Sequence, residues 1–332
     1  MRWGRGRAGL VAALVAALLA SCTSSPPDRR SCPTGPALVP SCGTLLGVSV
    51  GPETRTDLAG LEAAIGRKFD LAYEFNGLDL PLPTAEQRDH VAAGRILHLD
   101  LEAKEFALPD HPEIPWRDIV AGRWDTALRG HAAGLRDLGV PVMVTFDHEV
   151  DSPDKVGVRG TPGEFVAAWR HVHDVFGAAG ATNVVWVWVV TGSPRNWPAV
   201  PSLYPGDRYV DWVSWDPYNA SGCRSGQVKP GQWRSFAETV SPFYDWLATS
   251  RLGAGKPLML SEFGTVADPT DPDAARRWYA EIPSALRRFP RIRAIQLWNS
   301  VKGACDYRIE TRPGTLASFG ELARAVRTST PR

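Results

Sequence analysis

The sequence predicts a parallel (β/α)8 barrel, on three observations. Eight short apolar runs alternate with amphipathic segments between Thr44 and Val326, the order expected when a parallel sheet is wrapped by helices. Some of these runs, Val184 to Val190 above all, are apolar without interruption, as strands buried on both faces must be. The first run is followed by Gly51-Pro52-Glu53-Thr54 rather than a glycine-rich phosphate loop, which argues against an open, nucleotide-binding sheet.

Taken in order, the strands fall at Leu46–Gly51, Leu71–Phe75, Arg95–Leu101, Val140–Phe146, Val184–Val190, Val210–Trp215, Pro257–Ser261 and Ala294–Trp298. Helical patterns occupy Leu58–Ile65, Ala85–Ala93, Trp124–Leu138, Pro162–Ala178, Trp233–Thr249 and Pro272–Phe289, with Leu316–Val326 after the last strand. Trp186 and Trp188 share one face of the fifth strand. Trp186 is expected to fill the barrel, and Trp188, nearer the mouth, is a candidate for substrate contact. His98, at mid-strand, reads as a hydrogen-bonded core histidine.

Before the barrel come an address and a tether. Arg2, Arg5 and Arg7 precede an apolar run, Ala8 to Ala20, of the length of a signal-peptide core and too short to span a bilayer. The run ends in Leu19-Ala20-Ser21-Cys22, which resembles a bacterial lipobox. Residues 1–22 are therefore expected to be a lipoprotein signal with lipid on Cys22, the only membrane attachment, and to place the protein outside the cytoplasm. Residues 23–43 read as tether and N-terminal loop, the Thr23–Arg30 part being polar and proline-rich. With Cys22 set aside, four of the five cysteines remain, an even number that suits an oxidising compartment. Cys32 with Cys42 closes a short loop. Cys223 with Cys305 joins two segments that the barrel reading puts on one rim.

Composition narrows the partners. Lys+Arg 37 against Asp+Glu 36, interspersed, gives no electrostatic basis for nucleic-acid binding. Thirteen tryptophans justify looking for a carbohydrate site, since indole faces stack on sugar rings, although tryptophan also fills cores.

In such a barrel, catalytic groups stand at the C-terminal ends of strands. Glu149 and Glu262 follow the fourth and seventh strands. Glycosidic cleavage requires two carboxyl groups, one to protonate the leaving oxygen and one to attack or to activate water. Tyr218 and Trp298, at the ends of the sixth and eighth strands, are aromatic candidates for the sugar subsite. Asp147, His148, Glu149 and Asp151 form a competing metal-ligand set, but no second histidine stands at another strand end, so no metal and no cofactor are expected.

The elements His148-Glu149, Tyr204-Pro205-Gly206-Asp207-Arg208-Tyr209-Val210-Asp211-Trp212-Val213, Asp216-Pro217-Tyr218-Asn219 and Ser261-Glu262-Phe263-Gly264, in this order, resemble glycoside hydrolase family 26 of clan A. The resemblance implies a retaining, mannanase-like enzyme, with Glu149 as acid/base and Glu262 as nucleophile. It further implies that His148 supports the acid/base, Tyr218 hydrogen-bonds the nucleophile, Asp216 contacts sugar hydroxyls and Trp298 floors the cleavage subsite. The expected partner is a β-linked polysaccharide, bound by a monomer. A nucleophile with many hydrogen bonds and an acid/base in an apolar setting would explain the division of roles.

Three places depart from the mannanase pattern. Val150-Asp151-Ser152-Pro153 follows the acid/base where Met-Asn-Gly is usual, Leu99-Asp100-Leu101-Glu102 ends the third strand where a Trp-His pair is usual, and Asn299 stands where Arg is expected. Xylan and β-glucan therefore stay beside β-mannan as substrates. A non-catalytic glycan-binding lipoprotein on the same scaffold is the alternative. Asp306-Tyr307-Arg308 also resembles a stretch in bacterial relatives, with Arg308 expected to brace its loop.

Overall fold

The computed structural model describes residues 1, 4, 32–50, 57–229, 231–312 and 314–326. Cys22 with its lipobox, the Thr23–Arg30 tether and Gly51–Thr54 lie outside them. The chain divides into two units, Met1–Arg30 and Ser31–Arg332, and every strand and helix described below belongs to the second. No described helix is long and apolar enough to cross a membrane.

The second unit is built on β1 (Leu45–Ser49), β2 (Leu71–Gly77), β3 (Ile96–Glu102), β4 (Val142–Phe146), β5 (Val184–Val190), β6 (Trp212–Trp215), a short β7 (Tyr218–Asn219), β8 (Leu258–Thr265) and β9 (Ile292–Leu297). The strands pair in parallel in the order β6-β5-β4-β3-β2-β1-β9-β8, and β6 also pairs with β8. That last pairing closes eight strands into a barrel, as the sequence predicts. Around it run α1 (Leu58–Ile65), α2 (Ala85–Ala92), α3 (Trp116–Val120), α4 (Asp125–Arg136), α5 (Pro162–Ala178), α6 (Phe236–Ser250), α7 (Ala274–Ala285) and α8 (Thr315–Ala325). Local chemistry marks several helix starts. Thr84, Thr161 and Ser235 each head a capping box with Gln87, Glu164 and Glu238, worth about 1 kcal/mol apiece.

The barrel interior has three tiers. At the bottom, Leu45, Leu71, Ile96, Met143, Val185, Val187, Trp212 and Met259 form an apolar floor. The loop closed by the Cys32–Cys42 disulfide packs under it through Leu38, and its Ala37 carbonyl accepts from Trp212 Nε1 at 2.7 Å. Above lies a polar belt. His98 Nε2 meets Thr145 Oγ1 and His98 Nδ1 meets Gln296 Nε2, both at 2.9 Å, while Ser214 Oγ donates to Ser261 Oγ at 2.7 Å. Burial lowers the His98 pKa to about 3, so the ring is the neutral, satisfied core histidine that its position predicts. The third tier is the mouth.

The fifth strand corrects one expectation. Val185, Val187 and Val189 point into the barrel, whereas Trp186 and Trp188 point outward into the layer beneath the helices. Trp186 packs on Trp169 and Phe176, with ring centroids 5.9 and 5.3 Å away, and Trp188 on Tyr204 at 5.0 Å. Trp188 is fully buried and cannot touch a glycan. The two tryptophans do share a face, but period-two alternation leaves the phase open when both faces are apolar. On this strand the valines line the interior and the indoles find aromatic partners in the outer shell.

Candidate active site

Glu149 reaches the mouth through a strained turn. After β4, Asp147 and Glu149 both adopt left-handed backbone conformations, at φ 60° and 48°, which cost non-glycine residues about 1–3 kcal/mol each. The turn is held from behind. Asp147 accepts from Trp116 Nε1 at 2.7 Å, pairs with Arg159, and lies 3.3 Å from Lys155 Nζ. Asp151 likewise turns away from the mouth and accepts from Thr191 N at 2.6 Å and Thr191 Oγ1 at 2.5 Å. The four-residue metal set suggested by the sequence therefore does not converge: only His148 and Glu149 remain at the mouth.

His148 is fixed by Asp100, a residue that stands out in the sequence only as part of a departure from the mannanase pattern. Asp100, at the end of β3 and fully buried, accepts from His148 N at 3.1 Å through one oxygen and meets His148 Nδ1 through the other. Burial raises Asp100 to about 6, against the pull of Lys155, and burial together with Lys155 lowers His148 to about 3. At neutral pH an ionised Asp100 thus faces a neutral ring, which places the imidazole proton on Nδ1 and leaves Nε2 as an acceptor. Asp100, Glu102 and His148 present donor atoms close together. Arg159, 3.6 Å from Glu102, and Lys155, whose Nζ donates to the His148 carbonyl, already supply positive charge there.

Opposite stands Glu262, inside β8 rather than after it, since that strand runs on to Thr265. Tyr218 Oη donates to Glu262 Oε2 at 2.5 Å. Asp216 Oδ1 accepts from Glu262 N at 2.9 Å and from Ser261 Oγ at 2.6 Å. Burial raises Asp216 well above the usual carboxylate range, and its Oδ2 has no hydrogen-bond partner among the described residues. Trp298 follows β9 and forms an aromatic wall with Tyr218, Tyr307 and Phe75; Phe75 meets both Trp298 and His148 edge-on, at 5.9 and 5.1 Å. Cys223–Cys305 closes this rim by a disulfide, and the neighbouring Arg224 guanidinium lies 5.4 Å from the Tyr218 ring centre.

The expected electrostatic division is reversed. Glu262, not Glu149, is the more buried carboxyl, and its pKa is pushed up to about 8, first by burial and then by the charge of Glu149. The Tyr218 hydrogen bond pulls the other way, toward the ionised form of Glu262.

The protein is similar to known glycan-cleaving proteins. Residues 119–229 match the family described as Glycosyl hydrolase family 26. Endoglucanase H of Acetivibrio thermocellus is 27% identical over 295 residues, which are 85% of this chain and 31% of that protein. These matches support glycosyl hydrolase family 26. The chain spans about a third of the length of Endoglucanase H. In structure it resembles a family 26 β-mannanase from Bacteroides ovatus, with TM-score 0.61, 15% identity, and 87% and 90% of the two chains covered. A β-mannanase from a symbiotic protist of the termite Reticulitermes speratus, solved with gluco-manno-oligosaccharide, gives TM-score 0.58 at 15% identity, covering 87% and 88%. The family 26 stretch carries His148, Glu149, Asp216 and Tyr218 and stops before Glu262, which β8 brings back to them.

The other residues quoted for the family resemblance are structural. Trp169 Nε1 donates to the Tyr209 carbonyl at 3.0 Å, Arg170 Nε to that of Pro205 at 2.9 Å, and Trp186 N to Asp211 Oδ2 at 2.8 Å, so the Tyr204–Val213 stretch ties β5 and α5 to the start of β6. Asn299 accepts from Ile309 N and donates to Glu310, bracing the last loop. Arg308 pairs with Asp306, the bracing role expected of it.

Proposed function

We propose that this chain is a retaining glycoside hydrolase that cleaves a β-linked polysaccharide, β-mannan or a related xylan or β-glucan, as a monomer exported and lipid-anchored through Cys22. The observation that carries the reading is the convergence of Glu149 and Glu262, from β4 and β8, on one mouth walled by Tyr218 and Trp298. In the first step Glu149 donates its proton to the leaving oxygen while Glu262 attacks the anomeric carbon. In the second, Glu149 takes a proton from water, and the water displaces Glu262. Tyr218 holds the attacking oxygen in place, Asp216 fixes the backbone N of Glu262 as well as lying within reach of sugar hydroxyls at the mouth, and Trp298 supports the ring. The Cys32–Cys42 and Cys223–Cys305 bridges accord with an oxidising compartment.

Reducing-end release on β-mannan, β-1,3- and β-1,4-xylan and mixed-linkage glucan tests the activity. Release from one polymer that disappears in Glu262→Ala and in Glu149→Ala is expected. Saturable glycan binding without any release between pH 4 and 8 would overturn the hydrolase reading. Palmitate incorporation that requires Cys22 tests the anchor.

A further inference from the structure

On the outer face of β2, away from the mouth, lies a second cluster of chemistry-bearing groups. Tyr73 and Phe75 point into the barrel, so Glu74 between them points out, toward α2. There it meets His90, and Glu86, one turn earlier on the same helix face, completes a set of three whose donor atoms all lie within 4.8 Å of one another.

Two features distinguish the cluster from an ordinary ion pair. Glu74 and His90 are only 7% and 6% exposed, and Glu74 Oε1 stands 3.2 Å from His90 Nε2. Yet neither atom makes a hydrogen bond, to the other or to any described residue. The two atoms face each other at ion-pair distance without meeting hydrogen-bond geometry, which leaves each able to take a third partner. A separation of 3.2 Å matches the edge of a tetrahedron with metal–ligand bonds of about 2.0–2.1 Å, which is about 3.3 Å. The second feature is that the carboxylate is held in this pose from behind. Gln87 caps α2 with its Oε1 on Thr84 N, and its Nε2 donates at 2.9 Å to Glu74 Oε2 and to Asn76 Oδ1. The amide thus fixes one Glu74 oxygen and aims the other at His90, as outer partners of metal ligands do.

We propose that Glu74, Glu86 and His90 bind a divalent ion of the zinc type, with water in the fourth position. The imidazole selects such an ion over calcium or magnesium, and the two carboxylates neutralise its charge. The ion would clamp α2 to the strand that carries Tyr73 and Phe75. It is structural and separate from the carboxylate pair, so the metal-free chemistry expected at the mouth is unaffected.

Titration of zinc chloride into the chelator-stripped full chain tests this by calorimetry. One equivalent is expected to bind, with affinity falling more than about tenfold in His90→Gln and in Glu86→Gln, a loss that even an outer partner of a metal site produces. Glu86 is exposed, so its variant keeps the fold and the test stands if His90→Gln does not. Cobalt(II) should give the intense visible bands of a four-coordinate site, diminished in Glu86→Gln. Absence of saturable zinc, or zinc affinity unchanged in both variants, which would mean an adventitious ion only, overturns the proposal.

Discussion

The floor and the mouth of this barrel are built from the same strands and follow opposite rules. At the floor, Leu45, Leu71, Ile96 and Met143 bury apolar surface against a disulfide-closed plug, where Leu38 holds a left-handed backbone, and no buried carboxyl stands among these side chains. At the mouth, Asp100, Asp216 and Glu262 are all less than a tenth exposed, and Asp147 and Glu149 hold a left-handed backbone. Burial raises the pKa of all three mouth carboxyls, so this end is held together at a cost in stability. Stability concentrated at one end and poised charge at the other is the arrangement expected of an enzyme barrel.

Substitutions can break that comparison. Removing either carboxyl of the pair should have the largest effect: Glu149→Ala and Glu262→Ala are each expected to reduce kcat by about 10³-fold or more, without loss of the folded state by circular dichroism. Next comes Asp100→Asn, which weakens the anchor of His148 and should reduce kcat by up to about 100-fold with little change in KM. A rise in KM with kcat unchanged would instead make Asp100 a binding residue. At the floor, Leu38→Ala should destabilise by about 2–5 kcal/mol in denaturant titration while leaving kcat of the folded protein unchanged.

The contrast is sharpened by pH. Glu262 keeps its proton in the folded protein up to about 8, whereas its ordinary value is 4.5. The unfolded chain therefore loses that proton first, and stability falls as pH rises between those two values. Glu262→Gln removes this loss. It should raise Tm over wild type by an amount that grows from pH 4.5 to 8, with each kcal/mol gained worth about 2–4 °C or less in a chain of this size. If Glu262 is the nucleophile, it must be ionised to attack, so wild-type kcat/KM should rise with pH toward about 8.

Much of the barrel is legible in the sequence, for identifiable reasons. All eight barrel strands can be located because near-continuous apolar runs bounded by turns have few other uses. Their ends move by a few residues where polar side chains belong inside: β8 runs on to Thr265, and its pairing with β9 shifts register between Leu260 and Phe263, the irregular stretch that presents Glu262. The sequence puts Trp188 on the wrong face because alternation gives no phase when Val and Trp alternate. The roles of Asp100, Lys155 and Arg159 are hidden from it because they arise from contacts across 48, 7 and 12 residues, which no local pattern records. In the sequence, the split between acid and nucleophile rests on the family resemblance; the structure adds that Glu262 is the deeper of the two carboxyls.

If Glu262 attacks the anomeric carbon, a glycosyl-enzyme must form on it. Incubating the intact protein with 2-deoxy-2-fluoro β-mannosyl, β-glucosyl and β-xylosyl fluorides, followed by proteolysis and mass spectrometry, tests that most directly. The account predicts one stable glycosyl adduct on the peptide containing Glu262, absent from Glu262→Ala. A label on any other carboxylate, or turnover to products of inverted configuration with no adduct, would contradict it.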